Sequence, residues 1–439
     1  MKKVALISLG CAKNLVDSEV MLGYLAQDNF TIVTDLHEAD VIVVNTCGFI
    51  QDARQEALEV LADTLKVKRT DSNKKVVAAG CYVERSKHEL SLKFPEVDYW
   101  MGVKDVDNIV SILEEKPYQS SSQCFLYDHR SPRILSTPSS WAYIKISEGC
   151  SHNCSFCAIP QIKGPYRSRH IQSIIEEAAM LSEQGVKEIN LISQDSTYFG
   201  RDLGLKDGLA VLLAKLLNVK GVEWIRVLYG YPEEISDALL EIMHEMKICS
   251  YLDIPFQHAD SSLVKQMKRG LDGQRALHLI RKIRSNLPDV ALRTSLIVGF
   301  PGEEEREFEK VLDFMREARF EHLGVFTYSP EEDTACFSLG DPITASVKEE
   351  RRDRILQLQS EISFQNNTRY LGQNMDVLIE GHPEGESHLF MGRTHYQAPE
   401  VDGVVFIEAD KSQADVIGSI QNVEITDRDV YDLYAKFIK

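Results

Sequence analysis

Glu148-Gly149-Cys150-Ser151-His152-Asn153-Cys154-Ser155-Phe156-Cys157 decides how the chain is read. Its cysteines follow a CxxxCxxC spacing, which gathers three thiolates in one tight loop. A structural zinc centre closes on four ligands, usually as two paired CxxC hooks. Three cysteines instead suit a four-iron cluster that keeps one iron open to bind something else. The loop is therefore expected to be a reaction site.

Around this loop the chain alternates strand and helix. Strand candidates lie at 141–146, directly before the loop, and then at 188–192, 224–227, 251–254, 291–297 and 323–327. Helical periodicity fills 173–184, 236–246, 274–286 and 304–318. Six strands with crossover helices predict an incomplete barrel, a partial (β/α)6 unit, with its chemistry at the carboxyl ends of the strands. Ser193-Gln194-Asp195 follows the second strand and could hold amino or hydroxyl groups of a small polar cofactor. Gly299-Phe300-Pro301-Gly302-Glu303 follows the fifth and could let backbone approach a flat ring. Both also read as turn chemistry. Lys163, Arg167 and Arg169 form a basic cluster, either a solvated face or electrostatic guidance. Cys249 and Cys336 stand alone as packing residues, and no histidine has ligand spacing.

Residues 1–102 read as a smaller α/β domain, an open parallel sheet with strands at 4–8, 41–45 and 76–79 and helices at 16–26 and 52–65. Each strand runs into a cysteine: Leu9-Gly10-Cys11, Thr46-Cys47-Gly48 and Gly80-Cys81. Loops at the carboxyl ends of parallel strands gather in one crevice, so Cys11, Cys47 and Cys81 are expected to meet. They read as a second set of three ligands, or as three buried cysteines acting as small hydrophobes. Residues 103–140, rich in serine and proline, read as a linker in which Cys124 is a free thiol.

The barrel unit is expected to span 141–370, ending in a polar helix from 346. Residues 371–439 carry short strands at 375–380, 389–392, 404–407 and 415–420, the pattern of a small antiparallel β-barrel that holds RNA or a protein. Glu400, Asp402, Glu408 and Asp410 argue against a purely phosphate-binding role.

The totals fit this division. A chain of 439 residues suggests two to three domains, and a net charge of −18 disfavours non-specific adhesion to nucleic acid. No apolar run approaches the roughly 18 residues of a membrane span. Lys2-Lys3, the apolar run 4–9 and Gly10-Cys11 imitate a lipoprotein leader, but the run falls short of the about 7 to 15 apolar residues a leader needs. A cytosolic first strand is expected instead. Nine cysteines in a reducing compartment then read as metal ligands or free thiols.

Taken together, the three N-terminal cysteines, the CxxxCxxC loop and the terminal barrel resemble the radical S-adenosylmethionine methylthiotransferases over the whole chain. Ser8-Leu9-Gly10-Cys11-Ala12-Lys13-Asn14-Leu15-Val16-Asp17-Ser18-Glu19 is similar to the RimO branch, as are Gly392-Arg393-Thr394 and Ala398-Pro399-Glu400-Val401-Asp402-Gly403. That branch modifies an aspartate of the small-subunit ribosomal protein S-twelve. A sister branch modifies an adenosine of transfer RNA and carries other residues at Ala12-Lys13. It is the alternative here, and would need a basic face on the terminal barrel.

The resemblance implies two [4Fe-4S] clusters, on Cys150, Cys154 and Cys157 and on Cys11, Cys47 and Cys81. It implies that S-adenosylmethionine is cleaved at the first to a radical that takes hydrogen from the β-carbon of the aspartate. The second carries an exogenous sulfur, which another S-adenosylmethionine methylates. Phe156 matches the position that lies against adenine. Gln194 and Asp195 stand where many of these enzymes have Gly-Gly-Glu, and with Arg293 and Gly299 complete the expected cofactor contacts. No catalytic side chain is implied beyond the ligands. The implied partners are an electron donor such as flavodoxin or ferredoxin, a sulfur donor, and RNA through the terminal barrel, of the type called TRAM. A cytoplasmic monomer is expected.

Overall fold

The computed structural model describes residues 1–408 and 416–438. Lys3–Ser8, Val41–Thr46 and Lys75–Gly80 lie side by side as parallel strands. Thr31–Ile32 and Tyr99–Met101, too short to carry a periodic signal, extend the sheet at its edges. Alternate residues of a strand point to opposite faces. Val41 and Val43 pack with Val16 and Val20 of helix Ala12–Gln27, while Ile42 and Val44 pack with Ala57 and Leu61 of helix Gln51–Thr70. Both faces are buried, which explains the nearly unbroken apolar runs. In the register, Ser8 lies opposite Asn45 and Thr46 opposite Gly80, so the three carboxyl ends finish level.

The stretch expected to be a patternless linker contains a short helix, Ile109–Leu113, whose Ile109 and Ile112 join the core under helix Ala12–Gln27. Five residues are too few to show a period.

Six strands then form the barrel unit in two parallel halves. Trp141–Lys145, Glu188–Ile192 and Trp224–Val227 make one half, and Tyr251–Asp253, Ala291–Val298 and His322–Thr327 the other. A bridge from Ile225 to Ile248 joins them. Helix Gly273–Asn286 is capped by Asp272, and helix Glu305–Ala318 opens on a reciprocal capping box of Glu304 and Glu307. Helix Ala345–Asn367 leads to the terminal domain.

Residues from Asn374 onward form a closed five-stranded barrel. It departs from the expected all-antiparallel form, because Val405–Glu408 pairs in parallel with Leu433–Phe437. The strand expected at 415–420 begins only at Ile420 and runs to Arg428. Asp415 and Asp410 lie outside the described residues. Leu433–Phe437 escaped the sequence reading because it is short and follows a run of turn formers.

This small barrel seals the amino-terminal floor of the larger one. Glu188 accepts from Arg393 at 2.5 Å and from Arg226 at 2.8 Å, all three buried. Tyr143 donates to Glu400 at 2.8 Å and Tyr251 to Asp402 at 2.7 Å. The open, carboxyl-terminal mouth is left facing the N-terminal domain.

Candidate active site

Each N-terminal cysteine sits where a strand gives way. Cys11 caps helix Ala12–Gln27, Cys47 follows Val41–Thr46, and Cys81 opens helix Cys81–Lys93. Gly10 has φ +83°, and a Cβ there would fall 2.5 Å from the Cys47 Cβ, so only glycine allows these two loops to touch. Asn14 and Asn45 brace the turn: the Asn14 amide donates to Leu9 O at 2.7 Å, and the Asn45 amide to Asn14 O at 3.0 Å. Burial pushes the Cys47 thiol up to about 11, with Cys11 adding to the rise and the Phe49 N–H opposing it. Burial also pushes Cys81 up, while Lys163 pulls it down and Cys47 and Cys11 add to the rise. Cys47 thus lies in the field of Cys11, and Cys81 in the fields of both.

The CxxxCxxC loop is pinned from two sides. Cys150 N donates to Gly164 O at 3.1 Å, and Ser155 donates to Met267 O through its backbone and to Gln266 O through its hydroxyl. Burial raises Cys150 to about 11 and Cys157 to about 12, against N–H bonds from His152 and Ile159. Those N–H groups favour the thiolate, the form that binds metal. Arg269 adds a positive charge 3.7 Å from the Cys154 sulfur and lies over the Tyr231 ring, on which His152 is stacked. Among the described residues no three His, Cys, Asp or Glu side chains converge on a single metal ion.

Between the two sets runs a buried ion network. Lys145 contacts Glu148 at 2.7 Å and also pairs with Asp17, while Lys163 lies 3.3 Å from Asp17 and 3.5 Å from Glu148. Burial alone would raise the Glu148 carboxyl, but Lys145 and Lys163 hold it below its usual range. Asp17 is six residues past Cys11 and Glu148 two before Cys150, so the network ties one cysteine loop to the other. This corrects the solvated reading of the basic cluster: Lys163 and Arg169 are buried, Arg169 on Glu177 at 2.6 Å, and Arg167 donates to Gln123.

Gln194 donates to Glu148 at 2.7 Å, while its own carbonyl oxygen is buried without a donor among the described residues. That atom suits an incoming amino or hydroxyl group. Asp195 is already occupied, since it accepts from Thr197 N and Tyr198 N as a turn cap and lies 2.6 Å from His152 Nε2.

Three family models divide the chain. The uncharacterized protein family UPF0004 matches residues 3–102, the Radical SAM superfamily 144–315 and the TRAM domain 371–438. The ribosomal protein uS12 methylthiotransferase RimO of Citrifermentans bemidjiense is 42% identical over 444 residues, covering 100% of this chain and 98% of the relative. That of Syntrophotalea carbinolica is 45% identical over 444 residues, covering 100% and 97%. The chain belongs to the RimO family. Among solved structures, the radical S-adenosylmethionine methyltransferase TsrM of Kitasatospora setae, with cobalamin and a [4Fe-4S] cluster bound, is similar at a TM-score of 0.54 and 14% identity, covering 76% of this chain and 77% of that one. This likeness speaks to fold alone.

In this RimO-family chain the other expected contacts fall in different places. Phe156 packs beside Met267, Phe300 and Tyr328, near the carboxyl end of the fifth strand. Arg293 is the third residue of its strand and is tied to Asp253 at 3.3 Å and Asp402 at 3.5 Å, a position toward the sealed floor. Gly299 is closed over by Lys348, whose Cγ lies 2.4 Å from where a Cβ would stand. Sequence reading overlooked Arg269, which no motif marks. It also overlooked Tyr229, which the rule that strand ends carry chemistry could have found just past the third strand.

Proposed function

We propose that this chain methylthiolates the β-carbon of an aspartate in ribosomal protein uS12. Cys150, Cys154 and Cys157 would hold one [4Fe-4S] cluster and Cys11, Cys47 and Cys81 a second. When bound, the clusters and S-adenosylmethionine supply a carbon radical able to break an unactivated C–H bond, and the sulfur and methyl group that replace the hydrogen. The chain's own residues do the rest. Backbone N–H groups of Phe49, His152 and Ile159 and the Arg269 guanidinium stabilise charge on the cysteine sulfurs. Gln194 Oε1, buried without a donor, would accept from the amino group of S-adenosylmethionine, and Phe156 would offer an apolar edge for adenine. The sealed floor keeps water from one end of the barrel.

The observation that supports this reading is the buried network of Lys145, Lys163, Asp17 and Glu148, which links the helix that follows Cys11 to the strand that precedes Cys150. The terminal barrel favours a basic protein partner over RNA. Asp376, Glu384, Glu386, Glu408, Asp427 and Asp429 are exposed there against an exposed Lys436 and a half-buried Arg428, while Arg393 is buried against the floor. An electron donor of the flavodoxin or ferredoxin kind and a sulfur donor complete the reaction, which a cytoplasmic monomer would carry out. No helix among the described residues is long and apolar enough to cross a membrane.

The test is anaerobic incubation of reconstituted protein with S-adenosylmethionine, reductant and sulfide, offering uS12 and transfer RNA separately. Mass spectrometry should find one methylthio group on uS12 and none on RNA. Modification of RNA alone would overturn the assignment.

A further inference from the structure

Two cations at the barrel mouth have no carboxylate within ion-pair distance among the described residues: Arg269, which is taken up by the Cys154 sulfur, the Pro255 carbonyl and the Tyr231 ring, and Lys13. Lys145 and Lys163 each pair with both Asp17 and Glu148, but no carboxylate lies within 4.0 Å of Lys13 among the described residues. Its ammonium rests 3.5 Å from the centroid of the Tyr229 ring and 3.3 Å from the Ser193 carbonyl oxygen. Lys13 is only partly buried, so a ligand entering the mouth can reach it. The ammonium is thus held by one carbonyl and one aromatic face, with no carboxylate bonded to it, which leaves its remaining N–H donors open to an incoming acceptor.

Its surroundings fix where it stands. Cys11 is two residues away, Ser193 and Tyr229 follow the second and third barrel strands, and Glu148 and Asp253 act on it through space. Lys13 thus projects from the N-terminal cysteine group into the mouth that holds the other. A lysine there is a single point charge, suited to one small anion rather than to a bidentate clamp.

We propose that Lys13 receives the side-chain carboxylate of the substrate residue and so selects an acidic side chain. This rests on the reading of uS12 aspartate as substrate. Two carboxylates enter this mouth, that of the substrate and that of S-adenosylmethionine. Gln194 and Glu148 stand nearer the CxxxCxxC loop, whereas Lys13 belongs to the opposite domain, which favours the substrate.

The test measures binding of uS12, and of uS12 with its target Asp changed to Asn, to the reconstituted full chain and to Lys13→Gln and Lys13→Arg variants. The unaltered chain should prefer the Asp form by roughly tenfold to hundredfold. Lys13→Gln should bind both forms alike, at the weaker affinity, and Lys13→Arg should keep part of the preference. A Lys13→Gln protein that keeps the preference, weakens both forms equally, or shows its defect only in the S-adenosylmethionine concentration needed for cleavage overturns the proposal. Should that variant not fold, acetylation of Lys13 in the unaltered chain decides: the Asp form should slow it and the Asn form should not, and equal protection overturns the assignment. An unaltered chain that neither binds nor modifies uS12 sinks the substrate reading and this proposal with it. Modification with Lys13 indifferent sinks Lys13 alone.

Discussion

Gly10 carries a tight constraint on the N-terminal cysteine group, because its φ of +83° and its approach to Cys47 exclude any side chain. Gly10→Ala would press a methyl group against Cys47 Cβ rather than against a flexible chain end. We expect a loss of about 2 to 4 kcal/mol in denaturant unfolding, together with loss of iron from the N-terminal set while the Cys150 set keeps its own. Iron per chain and urea melts read both. At this scale the positions of the six cysteines were legible, three from their spacing within one loop and three from following strand ends. Asp195 was less so: a carboxylate after a strand looks like a ligand for a cofactor, but here it caps the turn Ser196–Tyr198. Lys13 drew notice only as a residue that differs between branches, since its isolation from carboxylates exists only in three dimensions.

At the scale of elements, the segment after strand His322–Thr327 does more than connect. Glu331 is buried and accepts from Arg85 at 2.7 Å and also from Arg54, both in the N-terminal domain. Arg85 donates to Gly48 O, beside Cys47. Five residues on, Cys336 N donates to Ser155 O at 2.9 Å, within the CxxxCxxC loop. One strap therefore braces both cysteine loops. Glu331→Gln should cost roughly 3 kcal/mol, because two guanidinium groups lose their shared carboxylate. Hydrogen exchange should quicken around Gly48 and Ser155 together, and quickening near Glu331 alone would contradict the bracing role. Nothing in the sequence pattern marked Glu331 as a buried partner of two arginines. Helix Cys81–Lys93 was also missed, since Ser86 at φ −136° breaks it and no continuous apolar stripe survives. The barrel strands, by contrast, were legible as β-branched runs ended by turn residues.

For the whole molecule, the seam between the two barrels joins residues far apart in sequence, Arg393 and Glu188 being 205 positions apart. Hydrophobic periodicity predicts the domains but says nothing of how they dock. Arg393→Met should cost roughly 3 to 5 kcal/mol, as Glu188 and Glu380 lose a buried partner, and thermal unfolding should split into two transitions. His395, beside Trp224 at this seam, makes the docking pH-sensitive. Burial, then the Arg226 charge, depresses its imidazole from 6.5 to about 4. The folded value lies below the unfolded one, so its contribution is complete above about pH 6.5 and is lost as pH falls through about 4. Stability should fall across that window in urea melts, and His395→Phe should flatten the fall.

On the proposed function the two cysteine triads divide the labour: one starts the radical, the other decides what is added. The most direct measurement is made on Cys47→Ala, reconstituted anaerobically and assayed for iron, 5′-deoxyadenosine and methylthiolated uS12. Half the iron of the unaltered chain, continued cleavage of S-adenosylmethionine and no methylthio product are expected. Undiminished iron, or a methylthio product formed without Cys47, would contradict that division of labour.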